Sequence, residues 1–260
     1  MSLDHTSEVV KQQTVTCDAF LGGRLRVSQP RHGFRAGLDS VLLGAAVAPG
    51  SAHLLDLGTG VGTASLVALA DHPELGATMV ESNPEALDLA AQNLAENGFS
   101  DRARLLALDV TAAGSVRVAA GLPADRFSTV IANPPFFEPA RGTAPSADRQ
   151  AARHMDAAAL ELWVRCAASH AAPGGEVIFI HTASALPQLL AGFAGRFGAI
   201  SVLPLVPHAG ADATRVLVRG VKGSRAPFRL MDARTLHGDT GRDFTPEFDA
   251  IFRGTGRLVW

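Results

Sequence analysis

Apolar residues in this chain gather in short runs that alternate with stretches of helical periodicity. The runs are rich in Leu, Val and Ile, which is typical of strands covered by helices on both faces of a parallel sheet. The seven runs are 53–57, 77–81, 104–109, 127–132, 176–181, 200–206 and 215–221. The pattern predicts an α/β fold of Rossmann-like type, with a seven-stranded mixed sheet and helices on both faces.

The segment before the first run has a different pattern. Residues 1–20 form a polar lead-in, and residues 20–29 alternate around Gly22-Gly23, which predicts a hairpin. Residues 38–47 predict a helix with Asp39 or Ser40 at its start. We therefore divide the chain into an N-terminal extension, residues 1–50, packed on a main domain, residues 51–260.

Two polar segments interrupt the pattern later in the chain. Residues 138–153 contain Pro139, Gly142 and three arginines, Arg141 among them, and predict a mobile flap over a substrate. The tail, residues 228–260, contains a predicted short helix with Thr245 as its cap, and we expect it to pack against the core. The residues of the tail do not indicate a chemical role for it.

Composition limits the location and the class of the protein. The chain has 260 residues, of which 47% are hydrophobic and 18% charged, as in ordinary globular proteins. Cys17 and Cys166 match no metal or redox spacing, so we expect free thiols and no metal site. No apolar run reaches 18 residues, and the first residues lack the apolar core of a secretory signal. These features predict a cytoplasmic protein with no membrane partner.

The charge is unevenly distributed. The formal net charge is −2, which gives no indication of DNA binding. However, residues 24–35 carry four arginines and no acid, and residues 215–234 carry six bases against Asp232. If these segments converge in space they can follow a phosphate backbone. The alternative is a solvated arginine-rich surface.

A glycine-rich turn follows the first predicted strand. Its sequence is Asp56-Leu-Gly58-Thr59-Gly60-Val-Gly62, and a helix comes directly after it. Such a turn lets the backbone approach a ligand closely at a helix N-terminus. Thr63 and Ala64 stand where the dinucleotide fingerprint requires a further glycine, which counts against a dehydrogenase. The turn instead resembles motif I of class I S-adenosylmethionine-dependent methyltransferases.

Acidic residues end the next two predicted strands. Glu81 lies 25 residues after Asp56, where a carboxylate can accept both ribose hydroxyls of a nucleoside cofactor. Asp109 ends the third strand and can accept from an adenine amino group, while the Val110 N–H donates to the ring. Each acid alone is compatible with a surface carboxylate. Three acids at three successive strand ends favour binding of S-adenosyl-L-methionine.

The fourth predicted strand stops at Asn133-Pro134-Pro135-Phe136, because prolines cannot donate to a sheet ladder. Ligands bind at the carboxyl ends of strands in open parallel sheets. The Asn133 side-chain oxygen and the Pro134 carbonyl can each accept one N–H of an amine, and Phe136 can stack on the planar group that carries it. Asn133 also borders the predicted cofactor pocket. The alternative is a rigid turn without chemistry.

Together these motifs resemble the bacterial family of adenine-N6 methyltransferases that modify valine tRNA. The carriers of the resemblance are residues 29–43, 56–62, Glu81, 93–98, Asp109, 133–136 and 215–219. The resemblance implies a tRNA partner and an adenine amine as the acceptor. On the substrate side we name Arg35, Asp39, Pro135, Phe137, Arg141 and His208. A helix cap for Asp39 and a surface position for His208 are the alternatives.

Four other functions remain open. The same amide chemistry suits a protein glutamine-N5 methyltransferase that acts on release factors, or an rRNA guanine-N2 methyltransferase. A small-molecule methyltransferase would leave the arginines of residues 138–153 without a role. A binding module without catalysis belongs to a different class, and an intact Asn133-Pro134-Pro135-Phe136 argues against it.

Overall fold

The described residues form eleven strands, of which two belong to the N-terminal hairpin, seven come from the apolar runs and two are short additional strands. A computed structural model describes residues 15–31, 35–135, 146–238, 241 and 243–260, with the backbone alone over 146–157. The strands are β1 (Val15–Phe20), β2 (Leu25–Pro30), β3 (His53–Leu57), β4 (Gly76–Glu81), β5 (Ala103–Ala107), β6 (Phe127–Ala132), β7 (Ala171–Thr182), β8 (Phe197–Val206), β9 (Arg215–Lys222), β10 (Arg229–Leu230) and β11 (Arg234–Thr235).

The main sheet has the order β10-β8-β9-β7-β6-β3-β4-β5, and β11 also pairs with β8. Neighbours among β3 to β7 are parallel, and β9 is antiparallel to both β7 and β8. The carboxyl ends of β3 to β8 therefore lie at one edge of the sheet, here called the carboxyl edge. The seven predicted strands are confirmed. Two more strands, β10 and β11, extend the sheet, so that it has nine strands within the described residues.

Helices cover both faces of the sheet, as predicted. Two buried apolar clusters lie on opposite faces, because successive side chains of a strand point to opposite sides. The helices are α1 (Leu38–Ala45), α2 (Thr63–Asp71), α3 (Pro84–Glu96), α4 (Gly114–Ala119), α5 (Ser146–His170), α6 (Leu186–Ala194) and α7 (Pro246–Phe252).

Helix α5 corrects the predicted flap. It begins at Ser146, so residues 146–153 are helical, and residues 138–145 lie outside the described residues. The segment 146–153 is polar, but it contains Ala, Arg and Gln and no Gly or Pro, which favours a helix. The prediction therefore extended the loop indicated by Pro139 and Gly142 too far along the chain.

The N-terminal hairpin packs on helices α2 and α3 through one of its faces. Leu21, Leu25 and Val27 are buried in the core cluster that α1 and α2 also share. Two amides of α3 hold the hairpin backbone: Asn93 bonds the Ser28 N–H and carbonyl at 2.7 and 3.0 Å, and Asn97 bonds both groups of Arg26. The predicted hairpin is confirmed, but the lead-in is shorter than expected because β1 begins at Val15.

The tail packs against the same face, as expected. Phe248 and Ile251 of α7 are buried in the core, and the Trp260 indole N–H donates to the Ala46 carbonyl at 3.1 Å. The predicted helix is confirmed, but Thr245 does not cap it through its side chain. The Thr245 hydroxyl donates instead to the Thr235 carbonyl at 2.9 Å.

None of the helices in the described ranges is long and apolar enough to cross a membrane.

Candidate active site

The glycine turn joins β3 to α2 at the carboxyl edge. Gly58 and Gly62 have φ values of +66° and +92°, which favour glycine. A side chain at Gly58 would overlap the Trp163 ring of α5, whereas the corresponding position at Gly60 has no atom within 4 Å. The Thr59 N–H donates to the Val80 carbonyl at 2.9 Å and ties the turn to β4. The turn is packed tightly beneath Gly58 and open at Gly60.

Asp56 lies under this turn and is 2% exposed. Its Oδ2 accepts from the Thr59 hydroxyl at 2.6 Å and from the Ser65 hydroxyl at 2.7 Å. Burial raises the pKa of the carboxyl to about 6, while the two hydroxyls oppose that change and Glu81 adds to it. Its hydrogen bonds with Thr59 and Ser65 support the turn, and a direct contact of Asp56 with the cofactor stays a prediction.

This raised pKa predicts an unusual pH dependence. Because the folded pKa lies above the ordinary value of 3.8, the stability that Asp56 contributes is full below that value and is lost as the pH rises through about 6. Asp56→Asn keeps an oxygen acceptor for both hydroxyls without a buried charge. We expect it to raise the Tm above pH 6 and to leave the Tm little changed below pH 4, measured by thermal unfolding at both values. A lower Tm at pH 8 would contradict this account.

Glu81 ends β4, as predicted, and lies beside the turn. Its Oε2 accepts from the Gly60 N–H at 2.9 Å, and its Oε1 accepts from the Ser82 and Asn83 N–H groups at 2.8 Å each. The Ser82 hydroxyl also lies 3.4 Å from Oε1, so the acceptor capacity that remains for a further donor is on Oε2. Asn83 then caps α3 through its side chain. Glu81 thus fixes the turn and the start of α3 together.

Asp109 lies two residues beyond the end of β5, because the strand stops at Ala107 and not at Asp109 as predicted. Its Oδ1 accepts from the Thr111 N–H and hydroxyl, both at 2.7 Å, which closes a tight turn. Asp109 is exposed at the carboxyl edge, whereas Val110 is 4% exposed. Cys166 of α5 is buried in the same cluster, and burial raises the pKa of its thiol to about 11.

A buried pair, Arg117 and His170, holds this turn from behind. The Arg117 guanidinium donates to the Ala112 carbonyl and, at 3.4 Å, to the Val110 carbonyl. Its Nε donates to His170 Nε2 at 3.1 Å, and His170 Nδ1 lies 2.9 Å from the Pro123 carbonyl. A carbonyl only accepts, so Nδ1 carries the proton and His170 is neutral. Sequence reasoning missed this pair, because both residues are ordinary in their helices.

The neutral state of His170 predicts an acid-sensitive turn. Burial lowers its pKa below 6.5, and Arg117 and Lys222 act in the same direction, against the Pro123 carbonyl and Asp125. A proton on Nε2 would oppose the Arg117 N–H. We expect the affinity for S-adenosylhomocysteine to fall in the parent chain as the pH drops below 6.5, the ordinary pKa of histidine.

Variants of His170 separate this effect from general acid unfolding. His170→Gln keeps an acceptor for Arg117 and does not titrate, so calorimetry should show a flat affinity over the same pH range. His170→Leu leaves Arg117 unpaired, and we expect roughly tenfold weaker binding at neutral pH. Equal pH profiles for the parent and His170→Gln would contradict the assignment.

The end of β6 is where the sequence placed it. The strand stops at Ala132, and Asn133, Pro134 and Pro135 follow outside any helix or strand. Asn133 Oδ1 is buried and has no hydrogen-bond partner among the described residues. Pro134 is buried and Pro135 is exposed. A buried acceptor without a donor is costly, so the site is complete only when a donor enters it. Phe136, Phe137 and Arg141 lie outside the described residues.

Two of the predicted substrate-side residues are engaged in ion pairs. Arg35 pairs with Asp18 of β1 at 2.6 Å and also donates to the Pro30 carbonyl. Asp39 pairs with Arg215, the first residue of β9, at 2.8 Å. Neither Asp39 nor Ser40 caps α1, because the helix begins at Leu38 after Gly37 without a side-chain cap. No local feature of the sequence indicates the pairing of Asp39 with Arg215.

His208 lies just beyond β8 and is exposed. Its Nδ1 is 3.2 Å from the Gly238 carbonyl, and its ring centre is 5.5 Å from that of His237. It thus contacts the tail at the carboxyl edge, three strands away from β6. Within the described residues no three His, Cys, Asp or Glu side chains cluster closely enough to hold a metal ion.

Comparison with known proteins shows the family to which this chain belongs. The model of the methyltransferase small domain family matches residues 39–187, more than half of the chain. The chain belongs to the methyltransferase small domain family. This membership confirms the predicted class I methyltransferase fold and S-adenosylmethionine as the cofactor.

Relatives with similar sequences carry the name to which the sequence motifs pointed. A tRNA1(Val) (adenine(37)-N6)-methyltransferase of Porphyromonas gingivalis is 30% identical over 177 residues, 66% of this chain and 68% of that protein. One of Flavobacteriaceae bacterium (strain 3519-10) is 34% identical over 116 residues, 44% of this chain and 47% of that protein. The matches thus span about half to two thirds of these relatives. The predicted resemblance is confirmed.

Solved structures agree on the fold. A predicted O-methyltransferase, protein Atu636 from Agrobacterium tumefaciens, has a TM-score of 0.73 at 30% identity, covering 85% of this chain and 98% of that one. P. horikoshii TYW2 in complex with MeSAdo has a TM-score of 0.52 at 15% identity, covering 81% and 72%. The second similarity concerns the fold alone.

Proposed function

We propose that this methyltransferase transfers a methyl group from S-adenosylmethionine to the N6 amine of an adenine in tRNA. The observation that carries the proposal is the unpaired, buried Asn133 Oδ1 at the carboxyl end of β6. An acceptor in that position needs a donor, and an exocyclic amine supplies one. The names of the relatives described above support tRNA and adenine as the substrate.

The residues at the carboxyl edge fit the cofactor. Gly58, Thr59, Gly60 and Gly62 line the turn, and the open side of Gly60 leaves room for a ligand close to the backbone. The spare acceptor capacity of Glu81 suits ribose hydroxyls, and Asp109 with the Val110 N–H suits an adenine ring. Asp56 contributes indirectly, by supporting the turn. When bound, S-adenosylmethionine supplies an electrophilic methyl group.

Asn133 and Pro134 act on the amine. Asn133 Oδ1 and the Pro134 carbonyl each accept one N–H, which turns the nitrogen lone pair out of conjugation with the ring. Holding the amine in one orientation supplies much of the rate, so no general base is required. The spare proton leaves to water after transfer. We assign stacking on the base to Phe136, with Phe137 beside it.

The adenine must leave its stack to reach such a pocket, which is easiest in a single-stranded loop. We propose that Arg35 and Asp39 position the carboxyl edge through their ion pairs, and that Pro135, Arg141 and His208 face the RNA. The contact of His208 with the tail supports a place at the rim. We also keep the division into residues 1–50 and 51–260, with a cytoplasmic location and no DNA partner.

A hydroxyl acceptor is the second candidate, because Atu636 is described as a predicted O-methyltransferase. A hydroxyl group carries a single proton, whereas Asn133 Oδ1 and the Pro134 carbonyl offer two acceptors. An NH₂ group satisfies both. A glutamine amide and a guanine amine also carry an NH₂ group, so both remain as acceptors to be tested.

The test is transfer of tritium from labelled S-adenosylmethionine to total tRNA from a strain that lacks this protein, followed by nucleoside analysis. We expect the label in N6-methyladenosine. Label in rRNA or in a release factor, but not in tRNA, would keep the amine chemistry and overturn the substrate. Label in no macromolecule would overturn the proposal.

A further inference from the structure

The six cations of the basic segment 215–234 form two groups that differ in their contacts in the fold. Four of its cations pair with carboxylates of other elements. The pairs are Arg215 with Asp39, Arg219 with Glu176, Lys222 with Asp125 and Arg234 with Glu247. These ion pairs leave the four side chains less available to an external phosphate than unpaired arginines are.

The other two cations differ in their surroundings. Arg225 and Arg229 are exposed, and no described residue forms a hydrogen bond or an ion pair with either side chain. They lie in the stretch 225–230, in which every residue is exposed and none is acidic. Their guanidinium groups are therefore open to an anionic partner.

Apolar side chains share this stretch. Phe228 is 52% exposed and Leu230 is 67% exposed, which makes them two of the most exposed large hydrophobic residues in the described chain. Exposed apolar groups beside unpaired cations are typical of an interaction site. Aromatic rings between arginines suit nucleic acid in particular, because bases stack on the rings while phosphates bind the cations.

The stretch is placed where a bound RNA could reach it. It forms the outer edge of the sheet, since β10 pairs with β8 and has no further neighbour among the described strands. The chain then runs along β8 towards the carboxyl edge, where Arg234 pairs with Leu205. Four strand spacings of about 4.8 Å separate β10 from β6, a distance of about 19 Å. A stem-loop with one base at Asn133 can span that distance.

We propose that residues 225–230, here called the edge surface, bind the phosphate backbone of the tRNA outside the methylated loop. This inference rests on the proposed function. Of the six cations in the basic segment 215–234, it assigns phosphate binding to two. Arg225 and Arg229 contact phosphates, and Phe228 stacks on an unpaired base. The arginines also disfavour pairing of this sheet edge with a second copy of itself.

The test compares charge reversals in the full chain. Arg225→Glu/Arg229→Glu is matched by Arg126→Glu/Arg165→Glu, which reverses two exposed arginines elsewhere that also lack described side-chain partners. Binding of an unmodified valine tRNA transcript is measured over a range of KCl concentrations. We expect the first variant to bind at least about tenfold more weakly, with a salt slope smaller by about two, and the matched variant to stay within about twofold of the parent.

Two further measurements show whether a loss of tRNA binding is specific to the edge surface. Affinity for S-adenosylhomocysteine should be equal in all three proteins, which shows an intact cofactor site. Phe228→Ala should weaken tRNA binding about fivefold without changing the salt slope. Equal losses in both double variants would overturn the edge surface as the site.

The outcomes also separate this inference from the proposed function. Binding of tRNA that Arg225→Glu/Arg229→Glu leaves intact would overturn the inference alone. Failure of the parent chain to bind tRNA would overturn both. A parent dimer that the same variant dissociates, with tRNA affinity unchanged, would assign the edge surface to a second copy of the chain and overturn the inference.

Discussion

Asn133→Ala is expected to lower the rate constant of methyl transfer by about 10²- to 10³-fold, because it removes an acceptor aimed at the reacting amine. Affinity for S-adenosylhomocysteine should stay within a few-fold of the parent. The fold should tolerate the change, since Asn133 Oδ1 has no described partner that would be left unpaired. Single-turnover transfer to tRNA and calorimetric cofactor binding measure the two effects separately.

A second variant of Asn133 tests the reason for that loss. Asn133→Asp keeps the shape of the side chain and an acceptor oxygen, so it should retain more activity than Asn133→Ala. Full activity of Asn133→Ala on tRNA would contradict the proposed mechanism. Loss of cofactor binding as large as the loss of rate would place Asn133 in the cofactor site alone.

Glu81→Ala is expected to weaken cofactor binding by about 10²-fold. The change removes the proposed ribose contact, and it leaves the N–H groups of Gly60, Ser82 and Asn83 without their acceptor. The glycine turn and the start of α3 then lose their common anchor. Calorimetry with S-adenosylhomocysteine measures the affinity, and thermal unfolding measures the accompanying loss of stability.

Glu81→Gln provides a sharper comparison. Both carboxylate oxygens accept from backbone N–H groups, so an amide must direct its NH₂ at one of those donors. We therefore expect Glu81→Gln to lose most of the affinity that Glu81→Ala loses. Asp109→Ala should have a smaller effect, because Asp109 is exposed and holds only Thr111. Parent-like binding by Glu81→Gln would show that the carboxylate is not required.

Much of the fold could be predicted because each core strand is a separate apolar run. Burial on both faces of a parallel sheet requires such runs, and prolines or glycines mark where they end. The short strands β10 and β11 could not be predicted, since Arg229–Leu230 and Arg234–Thr235 are held by pairing with β8 and not by their own propensity. The start of α5 was missed because its first turns are polar.

The candidate site was predicted as a set of strand ends, and its internal contacts were not. The sequence motifs predict that Asp56 and Glu81 lie near one edge of the sheet. They do not predict which carboxylate oxygen accepts from which N–H group. The pairing of Asp39 with Arg215 joins residues 176 positions apart, and that of Arg117 with His170 joins residues 53 apart. Contacts of this kind depend on how the strands are ordered in the sheet. A single sequence carries no local signal for them.

The most direct test of adenine-N6 methylation at Asn133 is to map the methyl group on one RNA. An unmodified valine tRNA transcript is incubated with S-adenosylmethionine and either the parent chain or Asn133→Ala, then digested and analysed by mass spectrometry. We expect N6-methyladenosine at a single adenine of the anticodon loop with the parent chain, and almost none with Asn133→Ala. A methyl group on a ribose oxygen or on another base, or equal methylation by both proteins, would contradict this expectation.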